Sequence, residues 1–362
     1  MPNFIKGGEL NRLFYEELVG PILRTHLGYI RHTACLIGYG SDVLGFDTEE
    51  STDHEWGPKF QLFLSDDDWS QHRDRIDELL SVELPRTFRG FSTSFSEPDE
   101  FGVRVPADAG DGPIRHGVDL STLERFLGGF LHTDPLREPT TTEWLTFSEQ
   151  SLLMITQAPV YWDDLGLAGL QAKFHYYPRD VWLYLLASQW HRIDQMEPFM
   201  GRSGSVGDEL GSRLIAHQIA LDLVRLCFLM EKRYAPYAKW LGSAFRELNC
   251  APRMAPILSA ILSSGEWKER EDHLSKAYEL TARMHNSLHI TDPLDTGVRP
   301  FYNRPFLVIE AGRFARAISA QIVDPEVRGL PYCLGSIDQI SHSVDVLTTP
   351  SRRQALQRLY EP

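Results

Sequence analysis

Residues 35–64 read CLIGYGSDVLGFDTEESTDHEWGPKFQLFL, and the spacing of their glycines and acids decides how the rest of the chain is read. A strand-like apolar run ends in a turn carrying Gly40 and Ser41. A polar loop follows, and then Asp53 and Glu55 flank His54. Side chains alternate faces along a strand, so an extended segment here points Asp53 and Glu55 the same way. Two like charges held side by side call for a cation. Mg²⁺ suits them, because it takes carboxylate and phosphate oxygens. A Gly-Ser turn beside such a pair offers backbone N–H groups and a hydroxyl to a phosphate. Together these are the parts of a nucleotidyl-transfer site.

Working outward, RHTACLIGYG reads as a first strand and KFQLFLS as a second, separated from the acids by Gly57-Pro58. Before them, ELNRLFYEELVGPIL has the spacing of a helix packed on a sheet. After them, DDDWSQHRDRIDELLSVEL predicts a helix, with Asp68 as N-cap and an acidic first turn. TFRGFSTSFSEP predicts a further strand, EFGVRV another, and PADAGDGP a loop. PIRHGVDLSTLERFLGG reads as a strand entering a helix, with Asp119 at the strand's end and Ser121 or Thr122 as the cap. Residues 131–165 read as a connector, Pro/Thr-rich at first and helical through SEQSLLMITQAPVYWD. Apolar stripes at helical spacing fill most of 166–362. The prediction is an α+β protein: a small mixed sheet with helices over 1–130, then an all-helical domain over 166–362.

Gly-Ser, a loop, Asp-x-Glu and a later strand-borne Asp resemble the polymerase-beta-like nucleotidyltransferase superfamily. GYGSDVLGFDTEESTDHEWGPKF, with QWHRI, GRSGSVGDELGSRLIA and EKRYAPYAKW further on, is similar to one bacterial branch of it. That branch is a domain of unknown function with a nucleotidyltransferase core and a helical tail. The resemblance implies that Asp53, Glu55 and Asp119 hold Mg²⁺ (or Mn²⁺) and that Gly40 and Ser41 hold phosphate. In such a site one ion binds the triphosphate and another activates the attacking hydroxyl. One departure is visible: the residue between the paired acids is usually apolar, and here it is His54.

In the helical half, Arg202 lies among glycines ahead of Asp208 and Glu209, and reads as a flexible cationic turn. Helix capping and dipole complementation explain these residues. The functional alternative makes Arg202 a triphosphate contact and Glu209 the proton acceptor for an acceptor hydroxyl. In EKRYAPYAKW, Lys232 and Arg233 at a helix end offset its dipole. The alternative there has Lys232 or Lys239 reaching the triphosphate, with Tyr234 or Tyr237 stacking on the base. The resemblance favours it, since triphosphate ligands in the superfamily come partly from the helical domain.

The 362 residues carry a formal net charge of −14 and no strongly basic block, which argues against nucleic acid as a main partner. Four scattered cysteines show neither zinc-ligand nor disulfide spacing. MPNFIKGGELNRLF has no signal-peptide core, and the longest apolar stretches are broken by charge, so a cytoplasmic location without membrane spans is expected. The expected reaction transfers a nucleoside monophosphate, AMP from ATP, to a hydroxyl of a small molecule. A protein acceptor, or an antitoxin-like binding role for the same fold, is the rival reading.

Overall fold

The computed structural model describes residues 3–361 apart from 101, 109 and 111. Phe101 of the expected EFGVRV strand, and Ala109 and Asp111 of the PADAGDGP loop, lie outside the described residues. The chain divides into two compact units. One comprises Met1–Glu138 with Ser151–His175, the other Pro139–Gln150 with Tyr176–Pro362.

The first unit opens with helix α1 (Gly7–Phe14), a π-helical turn (Tyr15–Val19) and α2 (Gly20–Leu27). The π turn precedes Pro21, which has no N–H to donate into a regular ladder; Gly20 donates instead to the Tyr15 carbonyl. Strand β1 (His32–Cys35) runs antiparallel to β2 (Lys59–Leu64). Helix α3 (Asp66–Glu83) follows, capped by Ser65 and not by Asp68. The Ser65 hydroxyl accepts the Asp68 N–H, so Asp68 is the third residue of the first turn.

In place of one long strand over TFRGFSTSFSEP there is a tight hairpin, β3 (Thr87–Phe88) and β4 (Phe91–Ser92). Arg89 (φ 53°) and Gly90 (φ 89°) turn it. The expected EFGVRV strand is also absent among its described residues. That loop closes on itself through Ser96 N–H to the Val105 carbonyl, leaving only isolated bridges at Ser94–His116 and Phe95–Pro106. Strand β5 (Gly117–Ser121) runs parallel to β2 and enters α4 (Leu123–Leu131), with Thr122 as the cap.

Helices α5 (Thr141–Thr146) and α6 (Glu149–Thr156) lead to strand β6 (Val160–Asp163). The sequence pattern predicts helix through Asp163. Pro159 has no N–H with which to continue a helix, its carbonyl accepts the Leu36 N–H, and the chain leaves extended to pair with β1. The sheet order is therefore β5-β2-β1-β6, parallel at β5/β2 and antiparallel elsewhere. Helix α7 (Leu167–Lys173) follows, its N-terminus held by Asp163, which accepts the N–H groups of Gly166, Leu167 and Ala168.

Phe60, Leu62 and Leu64 of β2 join Leu10 and Phe14 of α1 in one core cluster. On the opposite face Phe63 meets Phe126 of α4, ring centroids 5.3 Å apart. Each such buried side chain contributes about 1.5–3 kcal/mol. Register sets Asp119 beside Gln61 and Gln61 opposite Cys35. One row across the sheet thus brings Asp119 to the end where β1 gives way to its glycine turn.

The second unit is mostly helical. α8 (Arg179–Ser205) packs on α9 (Glu209–Met230). Around them lie α11 (Ala251–Ser263), α12 (Trp267–Ser287) and α13 (Gly312–Ser319), and α10 (Ala238–Phe245) meets α9 through the rings of Phe245 and Phe228, 6.4 Å apart. A two-residue ladder joins β7 (Arg299–Pro300) to β8 (Leu307–Val308). The flexible turn expected around Arg202 is helix. Gly201 and Gly204 are buried there, and a Cβ would stand 2.4 Å from Phe306 Cβ at the first and 2.2 Å from Trp267 Cγ at the second. Close approach, not flexibility, is what those glycines supply. No helix among the described residues is long and apolar enough to cross a membrane. All four cysteines are buried free thiols.

Candidate functional site

Beyond β1 the chain leaves the sheet at Leu36 and Ile37, and the Ile37 N–H donates to Gln61 Oε1 at 2.9 Å. Gly38 then takes φ 118°, a conformation that favours glycine. At Gly40 a Cβ would meet Asp42 Oδ1 at 2.2 Å. Residues 41–45 turn back, with Phe46 N–H on the Ser41 carbonyl. This buries Asp42, whose Oδ2 has no hydrogen-bond partner and lies 3.7 Å from Lys59 Nζ. Burial raises the Asp42 carboxyl above its ordinary range, and Lys59 opposes that rise.

The acids do not lie on an extended strand. Glu49–Asp53 form a 3₁₀ turn, fixed by a capping box between Thr48 and Ser51 and by Thr52 Oγ1 donating to the Glu49 carbonyl. Asp53 ends that turn, and its exposed carboxylate lies 2.8 Å from His54 Nδ1, a contact that lowers its pKa. Glu55 takes the left-handed φ of 45° and turns inward. The two side chains therefore diverge, because the local caps prevent the alternation of a strand.

Glu55 meets Arg104 across 49 residues of chain. The Arg104 N–H donates to Glu55 Oε1 at 2.5 Å, and the Glu55 N–H donates to the Arg104 carbonyl at 2.9 Å. The Arg104 guanidinium then grips Asp119 with two bonds of 3.2 Å, one to each oxygen. Lys59, which opens β2, donates to the Glu55 carbonyl and lies 3.9 Å from Glu55 Oε2. A cavity of about 210 Å³ opens onto this network. Its other wall is aromatic: Phe130 lies 5.1 Å from Tyr39 and stacks on Phe126 at 5.8 Å.

The structure thus brings Glu55 and Asp119 to one cavity and leaves Asp53 outside its lining. Gly38 and Tyr39 line it, while Gly40 and Ser41 belong to the turn and do not. Lys59, Arg104, Asp42 and the aromatic wall were missed from the sequence. Phe126 and Phe130 sit four residues apart on a helix, and Lys59 is a lone cation heading an apolar strand; both are faint signals. Arg104 had none, since only tertiary pairing carries it to Glu55. Among the described residues no group of three His, Cys, Asp or Glu stands close enough to hold a metal ion. Two carboxylates share the cavity with a guanidinium already between them, so these residues as they stand do not fit a two-ion cage.

The helical-unit candidates have local partners of their own. Glu209 accepts the Trp267 N–H at 3.0 Å and an Arg270 N–H at 3.3 Å, fastening α9 to the start of α12. Tyr234 is buried, 5.1 Å from the rings of both Tyr176 and Tyr177. Tyr237 stands at the N-cap position of α10, without a side-chain hydrogen bond to the helix, and is half-buried. Lys232 is exposed and stands 4.2 Å above the Trp182 ring; Lys239 stands 5.0 Å from the Trp240 ring. Arg202 is exposed in the last turn of α8, where a cation offsets the helix dipole.

A family described as a domain of unknown function (DUF4037) matches residues 144–241. Over that stretch, which runs from α5 into α10, the chain is similar to the family; the cavity residues lie outside it. No curated protein matches the chain.

Proposed function

We propose that the protein is a nucleotidyltransferase of the polymerase-beta-like kind, transferring AMP from ATP to a hydroxyl of a small molecule. The observation that carries this reading is the convergence of Glu55, Asp119, Lys59 and Arg104 on one cavity beside the Gly38–Gly40 turn. In the reaction the acceptor oxygen forms a bond to the α-phosphorus, the bond to the β-phosphate bridge breaks, and pyrophosphate leaves. The hydroxyl proton passes to a cavity carboxylate. Asp119 is the more accessible candidate, its side chain 47% exposed against 33% for Glu55. Lys59 and Arg104 offer charge to the phosphates, and the Tyr39–Phe130 wall offers a stacking face for the base. Mg²⁺ or Mn²⁺ is the cofactor this reading expects to arrive with the triphosphate and neutralise its charge.

A second reading, a protein of the same fold that binds nucleotide or a protein partner without transfer, is favoured by the outward Asp53 and the occupied carboxylates. Calorimetric titration with ATP and Mg²⁺, and pyrophosphate release against a panel of hydroxyl-bearing small molecules, separate the two. Asp119→Asn is expected to abolish release with an unchanged melting temperature, and Asp53→Asn to retain it. Binding without release by the intact protein supports the second reading. An absence of ATP binding with either cation overturns both nucleotide readings.

A further inference from the structure

A second cavity of about 210 Å³ opens in the first unit, and it shares no lining residue with the one described above. Three aromatic rings from three separate stretches line it: Phe4 ahead of α1, Trp56 between the 3₁₀ turn and β2, and Phe91 of β4. Trp56 is buried, and Phe4 and Phe91 are half-buried. Phe4 lies nearly parallel to Trp56, with 24° between the planes and 5.7 Å between centroids. Phe91 stands at 71° to Trp56, 5.0 Å away. The rings therefore meet as a corner, and the corner is held in place. Trp56 Nε1 donates to the buried Asp47 carboxylate at 3.1 Å, and Phe91 follows directly on the hairpin turn at Arg89 and Gly90.

The polar groups beside the rings restrict what can enter. Thr52 Oγ1 donates to the Glu49 carbonyl at 2.8 Å, and Ser92 Oγ donates to the Ala107 carbonyl at 2.7 Å. Both hydroxyl protons are thus committed within the protein, as is the Trp56 indole N–H. Lys6, two residues from Phe4, turns to the Gly45 carbonyl and lies 3.5 Å from Asp47. Among the described lining residues Glu49 alone carries a charge, and its exposed carboxylate has no hydrogen bond or ion pair with any described residue. An anion would meet a like charge here, and a neutral polar ligand would find no side-chain donor. A cation with an apolar skin meets the negative faces of aromatic rings and a carboxylate.

We propose that this corner binds an alkylated ammonium group, such as a trimethylammonium head, with Phe4, Trp56 and Phe91 around its methyl groups and Glu49 at the mouth. A primary ammonium suits the corner less, because it is strongly hydrated and its donors find only Glu49. The site stands independently of the nucleotide reading.

The test uses the full chain and two probes of one shape: choline, and its neutral analogue in which a tert-butyl group replaces the trimethylammonium. By calorimetry the wild type should bind choline about tenfold more tightly than the analogue. Phe91→Leu keeps an apolar wall but removes an aromatic face, so the preference should shrink to about twofold. Glu49→Gln changes an exposed side chain and should weaken choline about threefold while leaving the analogue unchanged. The ratio between the two probes is the readout, because a residue that merely shapes the pocket would weaken both alike. Melting curves establish that each variant is folded; if Phe91→Leu is not, Glu49→Gln decides alone. No choline binding by the wild type, equal affinities for the two probes, or a choline preference that Glu49→Gln leaves intact overturns the proposal. Neither probe carries a phosphate or a base, so a failure of ATP binding leaves this result untouched, and the reverse holds too.

Discussion

Replacing Lys59 by Met removes one charge while leaving the aliphatic stem, and the consequence follows from what Lys59 faces. Asp42 is 3% exposed, its Oδ2 has no hydrogen-bond partner, and Lys59 Nζ at 3.7 Å is its counter-charge. Removing one partner of a buried pair costs about 3–5 kcal/mol, because the other charge stays buried and uncompensated. At 3.7 Å with no direct hydrogen bond the pair belongs at the lower end, about 3 kcal/mol near neutral pH. For a unit of this size that corresponds to a melting temperature lower by roughly 6–12 °C.

The pH dependence is the sharper test. The Asp42 carboxyl already lies above its ordinary range in the folded protein, and losing Lys59 lifts it further. The native state then holds this proton more tightly than the unfolded chain does. The Lys59→Met deficit is therefore largest where Asp42 is ionised and shrinks as pH falls and the carboxyl takes up its proton. Adding Asp42→Asn should recover most of the loss where the carboxyl is ionised. Scanning calorimetry of wild type, both single variants and the double variant as a function of pH provides the measurement. A deficit that is flat with pH, or one that Asp42→Asn leaves untouched, would refute the view that Lys59 balances a buried carboxylate.

Two further outcomes follow from the helical unit. Burial pushes the Glu197 carboxyl up to about 7, even though it accepts the N–H groups of Ile309, Glu310 and Ala311. Its contribution is complete below the ordinary value and is lost as pH rises to about 7, a fall of about 3 kcal/mol in all. Urea midpoints should show that fall in wild type and a flatter profile in Glu197→Gln; equal slopes would refute the assignment. Gly204→Ala forces a methyl group to within 2.2 Å of Trp267 Cγ, so it should cost about 1–3 kcal/mol and lower the melting temperature, with near-neutrality as the refuting result.

Much of the architecture is determined by local sequence. The apolar runs at 32–37 and 59–64, the helical spacing at 7–27 and 66–83, and the stripes of α8 and α9 each report a period that burial enforces. The Thr122 cap and the strand bearing Asp119 were legible for the same reason: caps and alternation depend on neighbours in the chain. What failed was decided by distant partners. Val160–Asp163 is a strand because β1 offers it an edge, and Gly201 and Gly204 are helical because Phe306 and Trp267 press against them. The site divides the same way. Sequence brought out Glu55 and Asp119 by residue type and spacing. Whether Asp53 joins them depended on a 3₁₀ turn, and the cation between them comes from a loop 49 residues away. A side chain's chemical type is written in the sequence, but which charge it meets in a low-dielectric cavity is fixed only when the chain folds back on itself.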